Sequence, residues 1–423
     1  VHEKRRFMMS DWDFSPPPVS ELGDHEVPLV GTHLQGKRIA LLVTGGIAAM
    51  KAPLIARALR RQGADVVAFT STEALRYTTV DTLAWSTTNP VVTQLTPAGE
   101  HLSDSAPFAA YLVAPATYNT INKMRYGIAD GVVTASLASA LGRMATGRTA
   151  VLVAPTMHGS MHNPILTESL QALAGMGVRI IPPREAYGKH NIPDEGQLVA
   201  EVCRAVSQSP LKGVPLLVTG GPTPVPVDAV RRLTNKFTGQ LGIEITEELY
   251  LRGADVRLIH GGGVAQPPAH LPYQVAATFD DYVRLILAAL AERPYVAGVF
   301  SAAVADYRPA QVLPGKTPSG GALQTLALVP TLKVIEEVRR QFPALRLVSF
   351  KYQEDVTHEE LLAIAAERLA RGHAAVVANR GEERGPAGEQ VAYLVSRPGH
   401  AQRLVGKPAI AAGIADFLEQ IVV

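Results

Sequence analysis

Short runs of consecutive apolar residues alternate along this chain with longer stretches in which apolar positions recur at helical spacing. Runs of the first kind cover residues 39–44, 65–70, 111–114, 150–154 and 178–181. Residues 51–62 read as a helix, and Gly63 stands where a helix-terminating glycine belongs. Apolar strands alternating with helices predict a mostly parallel sheet covered on both faces. The pattern then begins again. Strands are expected at 216–219, 255–259, 296–301, 345–350, 374–378 and 391–395. Helices are expected at 239–252, 279–291, 358–371 and 409–423, with Pro408 just before the last. The string LLVTGG starts at Leu41 and again at Leu216, each time as a strand emptying into a Gly-Gly turn. The expected fold is therefore α/β: two tandem doubly wound, Rossmann-like domains at 36–208 and 209–423, behind an N-terminal extension of residues 1–35. A polar connector occupies 207–213, and residues 309–321, rich in Pro and Gly, read as a loop or flap.

Composition narrows the function classes. Of the 423 residues, 47% are hydrophobic and 18% charged, enough apolar material for two full cores. Forty Lys and Arg face thirty-eight Asp and Glu, so a net charge of +2 argues against a protein that coats nucleic acid or an anionic membrane. The single cysteine, Cys203, excludes a disulfide framework or a Cys-rich metal site, and a reducing cytoplasmic setting is the simplest expectation. The basic start of the chain lacks the continuous apolar core of a secretory signal, and no stretch is long and apolar enough to span a bilayer.

Chemistry gathers at the strand ends. Gly45 and Gly46, followed by Ile47 and Ala48, allow close backbone approach just before a helix; a phosphate and an ordinary tight turn both fit. Thr70, Ser71 and Thr72 offer hydroxyls to the same phosphate, or cap the next helix. Ala116, Thr117, Asn119 and Asn122 form a small-residue turn suited to the edge of a planar ring, and APTMHGSMHNP repeats the design with Met157 and His158. In the second block Gly220 and Gly221 end the first strand. Asn235, Thr238 and Gly239 precede a helix as a phosphate cradle or a plain cap, and Ala303 and Asp306 follow a strand in SAAVADYRP.

Together, TGGIAAMK, PATYNTINKMRYGIAD and APTMHGSMHNP resemble the FMN-binding flavoprotein decarboxylases. The particular match is the decarboxylase half of the bifunctional phosphopantothenoylcysteine decarboxylase/phosphopantothenate–cysteine ligases of coenzyme A synthesis. TGGPTPVPVD, RRLTNKFTGQLG, SAAVADYRP and VANRGEE resemble the ligase half. The resemblance implies condensation of 4′-phosphopantothenate with cysteine, using CTP or ATP with Mg²⁺, then FMN-dependent decarboxylation to 4′-phosphopantetheine. It implies FMN contacts at Gly45, Gly46, Ile47, Ala48, Thr70, Ser71, Ala116, Thr117, Asn119 and Thr134. His101 falls at the family's catalytic histidine, which acts on the substrate thiol or carboxylate while flavin oxidises the cysteine moiety; His158, Asn122 and Met157 fall at substrate positions. In the ligase half it implies that Asn235 helps turn over an acyl-nucleotide, that Asp306 meets the base or ribose, and that Lys316 is the catalytic lysine. Gly220, Gly221, Thr238, Gly239, Ala303, Phe350 and Lys351 fall at its nucleotide positions, and no protein-held metal site is expected. It also implies small-molecule partners and a homo-oligomer, a trimer of dimers or a dodecamer, with flavin near subunit contacts.

Several positions depart from the family pattern. His158 stands where the family has a substrate-binding asparagine, and His162 where it has a tryptophan. The flap stretch 182–196 has no cysteine, and Cys203 beyond it lies on an amphipathic segment as a small core residue. Val329-Pro330-Thr331 replaces Lys-Thr-Pro, FKYQE replaces FAAET at 350–354, and Arg380 replaces an aspartate. These departures keep two other readings open: a paralogue using FMN for reduction or for decarboxylation of another substrate, and a non-catalytic relict or assembly subunit.

Overall fold

The computed structural model describes residues 14–102, 105–316 and 325–422. The start of the expected extension and residues 317–321 of the expected flap lie outside them. The chain forms two compact units that divide between Ile192 and Pro193.

The first unit holds β1 (Arg38–Val43), α1 (Ala52–Arg60), β2 (Asp65–Thr70), α2 (Val80–Thr87), β3 (Ala110–Ala116), α3 (Tyr118–Tyr126), α4 (Val132–Ala145), β4 (Ala150–Pro155), β5 (Met157–His158), α5 (Pro164–Gly175), β6 (Arg179–Ile180), β7 (Arg184–Ala186) and β8 (Lys189–Asn191). The main sheet runs β2-β1-β3-β4-β6, every pair parallel. Its central strands are buried almost throughout, which is why they read as continuous apolar runs. Leu42, Phe69, Tyr111 and Val153 build one face of the core against Ile121, Val133 and Leu137 of the helices. A second, antiparallel sheet, β5-β8-β7, stands beside it. Its strands of two and three residues are shorter than any readable period.

The second unit holds α6 (Glu195–Val206), β9 (Pro215–Gly220), β10 (Val225–Pro226), β11 (Arg232–Leu233), α7 (Gln240–Leu251), β12 (Asp255–Gly261), β13 (Tyr273–Ala276), α8 (Phe279–Glu292), β14 (Ala297–Phe300), β15 (Tyr307–Pro309), β16 (Leu328–Pro330), α9 (Val334–Gln341), β17 (Arg346–Gln353), α10 (His358–Ala370), β18 (Ala375–Arg380), β19 (Val391–Arg397), β20 (His400–Val405) and α11 (Lys407–Val422). Its main sheet runs β13-β12-β9-β14-β17-β18-β19-β20. Six strands are parallel, and β19 and β20 add an antiparallel edge. Pro408 lies inside the first turn of α11 rather than before it, where a missing N–H costs nothing.

The placement of the helix before the expected boundary has a physical cause. The segment α6, which precedes the expected boundary at 208/209, packs within the second compact unit. Arg204 stacks on the Tyr250 ring at 4.6 Å, and the Tyr250 hydroxyl donates to Glu201. Cys203 is buried in this helix, and burial pushes its thiol up to about 12, as a small core residue requires.

Candidate functional sites

In the first unit the strand order reverses between β1 and β3, and open α/β sheets bind ligands at such a switch point beyond the carboxyl ends of the strands. A cavity of about 920 Å³ opens there. Gly45, Gly46, Ile47 and Ala48 line it from the end of β1, Thr70 and Ser71 from the end of β2, and Thr117 and Asn119 from the start of α3. A Cβ on Gly45 would stand 2.3 Å from the Cβ of Glu73, so the turn has no room for a side chain. Thr44 Oγ1 donates to the Pro115 carbonyl at 2.7 Å and accepts from Thr117 N–H, tying the β1 and β3 ends together.

The two hydroxyls at the end of β2 behave differently. Ser71 accepts from Ala74 N–H and caps the short helical turn after it. Thr70 Oγ1 is buried, lines the cavity and has no hydrogen-bond partner among the described residues. A buried hydroxyl left unpaired is costly, so it marks where a ligand atom belongs.

Thr134 accepts from Gly131 N–H and donates to Asp130, tying the first turn of α4 to the loop before it at the cavity wall. Lys123 pairs with Asp130 at 2.6 Å on the same wall. Met157 and His158 also line the cavity. His158 Nδ1 accepts from Ser160 N–H at 3.2 Å. A backbone N–H only donates, so the neutral ring carries its proton on Nε2.

Three expected residues lie elsewhere. Asn122 does not line the cavity; its amide donates to the Tyr118 carbonyl and accepts from Ser169, joining α3 to α5. Ala116 is buried at the β3 bulge. His101 lies off the cavity of its own chain, in the turn after Glu100. Conversely, Arg184, Lys189 and His190 line the cavity from the small antiparallel sheet, where no periodic signal announced them.

The second unit has the strand order 3-2-1-4-5-6 counted within its parallel part, with the switch between β9 and β14. Gly221 has φ +79 and Gly239 φ +89; a Cβ on Gly239 would meet His260 Cε1 at 2.4 Å and Gly221 Cα at 3.0 Å. Only glycine lets the α7 start approach the β9 turn so closely. A Cβ on Gly220 would likewise stand 3.0 Å from Gly242 Cα. Asn235 Nδ2 donates to the Ala303 carbonyl at 2.9 Å, so its loop is pinned to the end of β14. Thr238 receives a hydrogen bond from Ala265 N–H on its carbonyl.

Asp306 pairs with Lys333 at 2.5 Å. Lys351, near the end of β17, is half-buried, and burial followed by the charge of Arg368 holds its ammonium below the ordinary lysine range. The Phe350 carbonyl is taken by Arg368. Lys316 is exposed at the edge of the described residues. A smaller hollow of about 210 Å³ among Val225, Phe279 and Arg308 includes none of the expected nucleotide residues. Among the described residues, no group of three or more His, Cys, Asp or Glu is placed to hold a metal ion, and no helix is long and apolar enough to cross a membrane.

Comparison with known proteins places these two sites in context. The flavoprotein family model matches residues 29–207, and that of the DNA/pantothenate metabolism flavoprotein C-terminal domain matches residues 211–421. The coenzyme A biosynthesis bifunctional protein CoaBC of Thermococcus kodakarensis is 35% identical over 369 residues, covering 84% of this chain and 89% of that protein. The protein of the same name from Bacillus subtilis is 31% identical over 356 residues, covering 79% and 85%. Among solved structures, the DNA/pantothenate metabolism flavoprotein from Streptococcus pneumoniae is 27% identical with a TM-score of 0.43, covering 49% of this chain and 99% of that one. With relatives of this identity spanning both halves in one order, the chain belongs to the family of coenzyme A biosynthesis bifunctional proteins.

Proposed function

We propose that this protein carries out two consecutive steps of coenzyme A biosynthesis. The second region condenses 4′-phosphopantothenate with cysteine at the expense of CTP or ATP, and the first decarboxylates the resulting 4′-phosphopantothenoylcysteine with FMN. The observation that carries this reading is the match, across both regions, to coenzyme A biosynthesis bifunctional proteins.

The residues of the first cavity fit a flavin mononucleotide: a volume of about 920 Å³, a turn with no room for a side chain, and an unpaired buried hydroxyl. The Gly45-Gly46 turn with Thr70 holds the phosphate, Thr117 and Asn119 meet the polar ring edge, and Ile47 and Met157 supply apolar surface. Bound flavin supplies a two-electron acceptor, and later donor, for the cysteine moiety. His158 presents its Nε2–H to the substrate carboxylate, as a neutral amide would. His101 lies off its own cavity; by the family resemblance it serves substrate in the cavity of a neighbouring copy within a homo-oligomer. In the second region Asn235, Thr238, Gly239 and Lys351 surround the nucleotide. Magnesium comes with the nucleotide phosphates.

Two assays test the halves independently. Flavin-loaded protein should release CO₂ from 4′-phosphopantothenoylcysteine, and pyrophosphate should form only when phosphopantothenate, cysteine and nucleotide are all present. A flavin-loaded protein that releases no CO₂ from that substrate, while acting on another thiol carboxylate, would give the first region to the paralogue reading.

A further inference from the structure

Within the stretch 182–196, a flap without a cysteine, residues 184–191 fold as a hairpin. Strands β7 and β8 join through Tyr187 and Gly188, with φ +55 and +64, the two left-handed positions of a tight hairpin turn. The hairpin is fixed to the body of the unit twice. Gly159 N–H donates to the Gly188 carbonyl at 3.0 Å, and His162 Nδ1 meets His190 Nε2 at 2.7 Å. Asn191 Nδ2 donates to the carbonyls of Arg184, Ala186 and Lys189, bracing the turn from within.

The pleat sorts its side chains. Directly paired residues share a face, and faces alternate along a strand. The pairs His158–Lys189, Ala186–Lys189 and Arg184–Asn191 therefore put His158, Lys189 and Arg184 on one face. The pairs Met157–His190 and Glu185–His190 put the hairpin's only acid on the other, where it stands 3.6 Å from His190. Arg184 and Lys189 are diagonal neighbours, about 7 Å apart at their origins, a span that two long side chains can close around one tetrahedral anion.

Both cations are exposed, both line the cavity, and neither has an ion-pair partner among the described residues. The cavity's two carboxylates are already engaged, Asp130 with Lys123 and Glu73 with Arg76. A cationic pair with no ion-pair partner among the described residues thus lines the same cavity as the Gly45-Gly46 turn.

We propose that Arg184 and Lys189 grip the phosphate of the substrate, and so make the decarboxylating site selective for a phosphorylated thiol carboxylate over the same molecule without its phosphate. This rests on the decarboxylase reading of the first region. Arg184→Gln, Lys189→Gln and the double variant are compared with the unsubstituted protein on 4′-phosphopantothenoylcysteine and on pantothenoylcysteine. The double variant should raise KM for the phosphorylated substrate at least about 10-fold, with kcat and KM for the unphosphorylated one unchanged within about 2-fold. Calorimetric titration of flavin-loaded protein with 4′-phosphopantetheine should show the same loss of affinity, steeper at low salt. An unchanged KM and affinity in the double variant would overturn the assignment. So would a loss of FMN retention with substrate affinity intact, because the cations would then serve the flavin phosphate. If no substrate is decarboxylated, the reading of the first region fails, and the calorimetry still decides whether this face holds a phosphomonoester.

Discussion

Thr70 shows how a single atom reports on a site. Its hydroxyl is buried at the end of β2 with no partner among the described residues, although a threonine could have been a valine there at no cost in shape. Thr70→Val should leave the fold stable, yet weaken FMN binding by about 1–2 kcal/mol, or roughly 10-fold, read by flavin fluorescence on titration. Equal FMN affinity in the two proteins would show that this hydroxyl does not face the cofactor.

His373 makes the opposite kind of statement, about stability. It bonds to buried Ser349 at 2.7 Å, and burial followed by Arg368, Arg339 and Arg371 lowers its pKa to about 4 from an ordinary 6.5. The folded state resists a proton that the unfolded chain accepts. Its contribution is therefore intact above pH 6.5 and is lost as the pH falls from 6.5 toward 4. The ring is half-buried, so after screening the loss is on the order of 1–2 kcal/mol. In His373→Gln the fall in Tm between about pH 7 and pH 4.5 should be smaller than in the unsubstituted protein. Parallel Tm-against-pH curves for the two would exclude this ring as a source of acid sensitivity.

At the scale of elements, the two glycine turns are where sequence and structure meet most closely. The parallel strands were legible because burial on both faces leaves continuous apolar runs, and the turns because each ends such a run in Gly-Gly. The sheet β5-β8-β7 was not legible, since two or three residues define no alternation. Strand β20 was missed for another reason: it is a sheet edge, and HAQRLV buries only Leu404 and so shows no apolar run. The site was readable to the same extent. Residues on turns after long strands were found, whereas Arg184 and Lys189 required knowing which short segments pair. Gly239 tests the reading of the second turn. Alanine there would need a left-handed backbone and a Cβ 2.4 Å from the His260 ring. Gly239→Ala should cost about 2–4 kcal/mol by lowering the second region's thermal transition, and should abolish nucleotide-dependent pyrophosphate release while FMN content is retained. Gly262→Ala is the control, because its Cβ meets nothing within 4 Å and its φ is not left-handed. Equal losses in both variants would refute the close-approach argument.

For the whole molecule, the open question is where one region ends and the next begins. Amphipathic spacing identified α6 as a helix with an apolar face, but periodicity names a face and not its partner. In the fold, six consecutive residues from Leu198 to Cys203 are buried, and the helix is fastened to α7 by chemistry as well as by packing. Arg204 stacks on Tyr250 and donates to the Tyr250 and Ala254 carbonyls; Glu201 accepts from the Tyr250 hydroxyl; and Ser207 donates to the Arg252 carbonyl at 2.7 Å. The same end of α7 is held by α11, where Arg252 meets Asp416 at 2.7 Å and Glu419 at 3.0 Å. Cutting the chain after residue 208 would strip the Tyr250 ring of its guanidinium cover, free the end of α7 and expose apolar surface that α6 had covered. A second-region fragment beginning at residue 193 should therefore melt several degrees above one beginning at residue 209, and should be the more soluble of the two. The comparison separates the two divisions cleanly, because both fragments keep every strand of the main sheet and every expected nucleotide residue. Matching Tm values would mean that α6 contributes nothing to the second unit and that the boundary lies in the polar connector at 207–213.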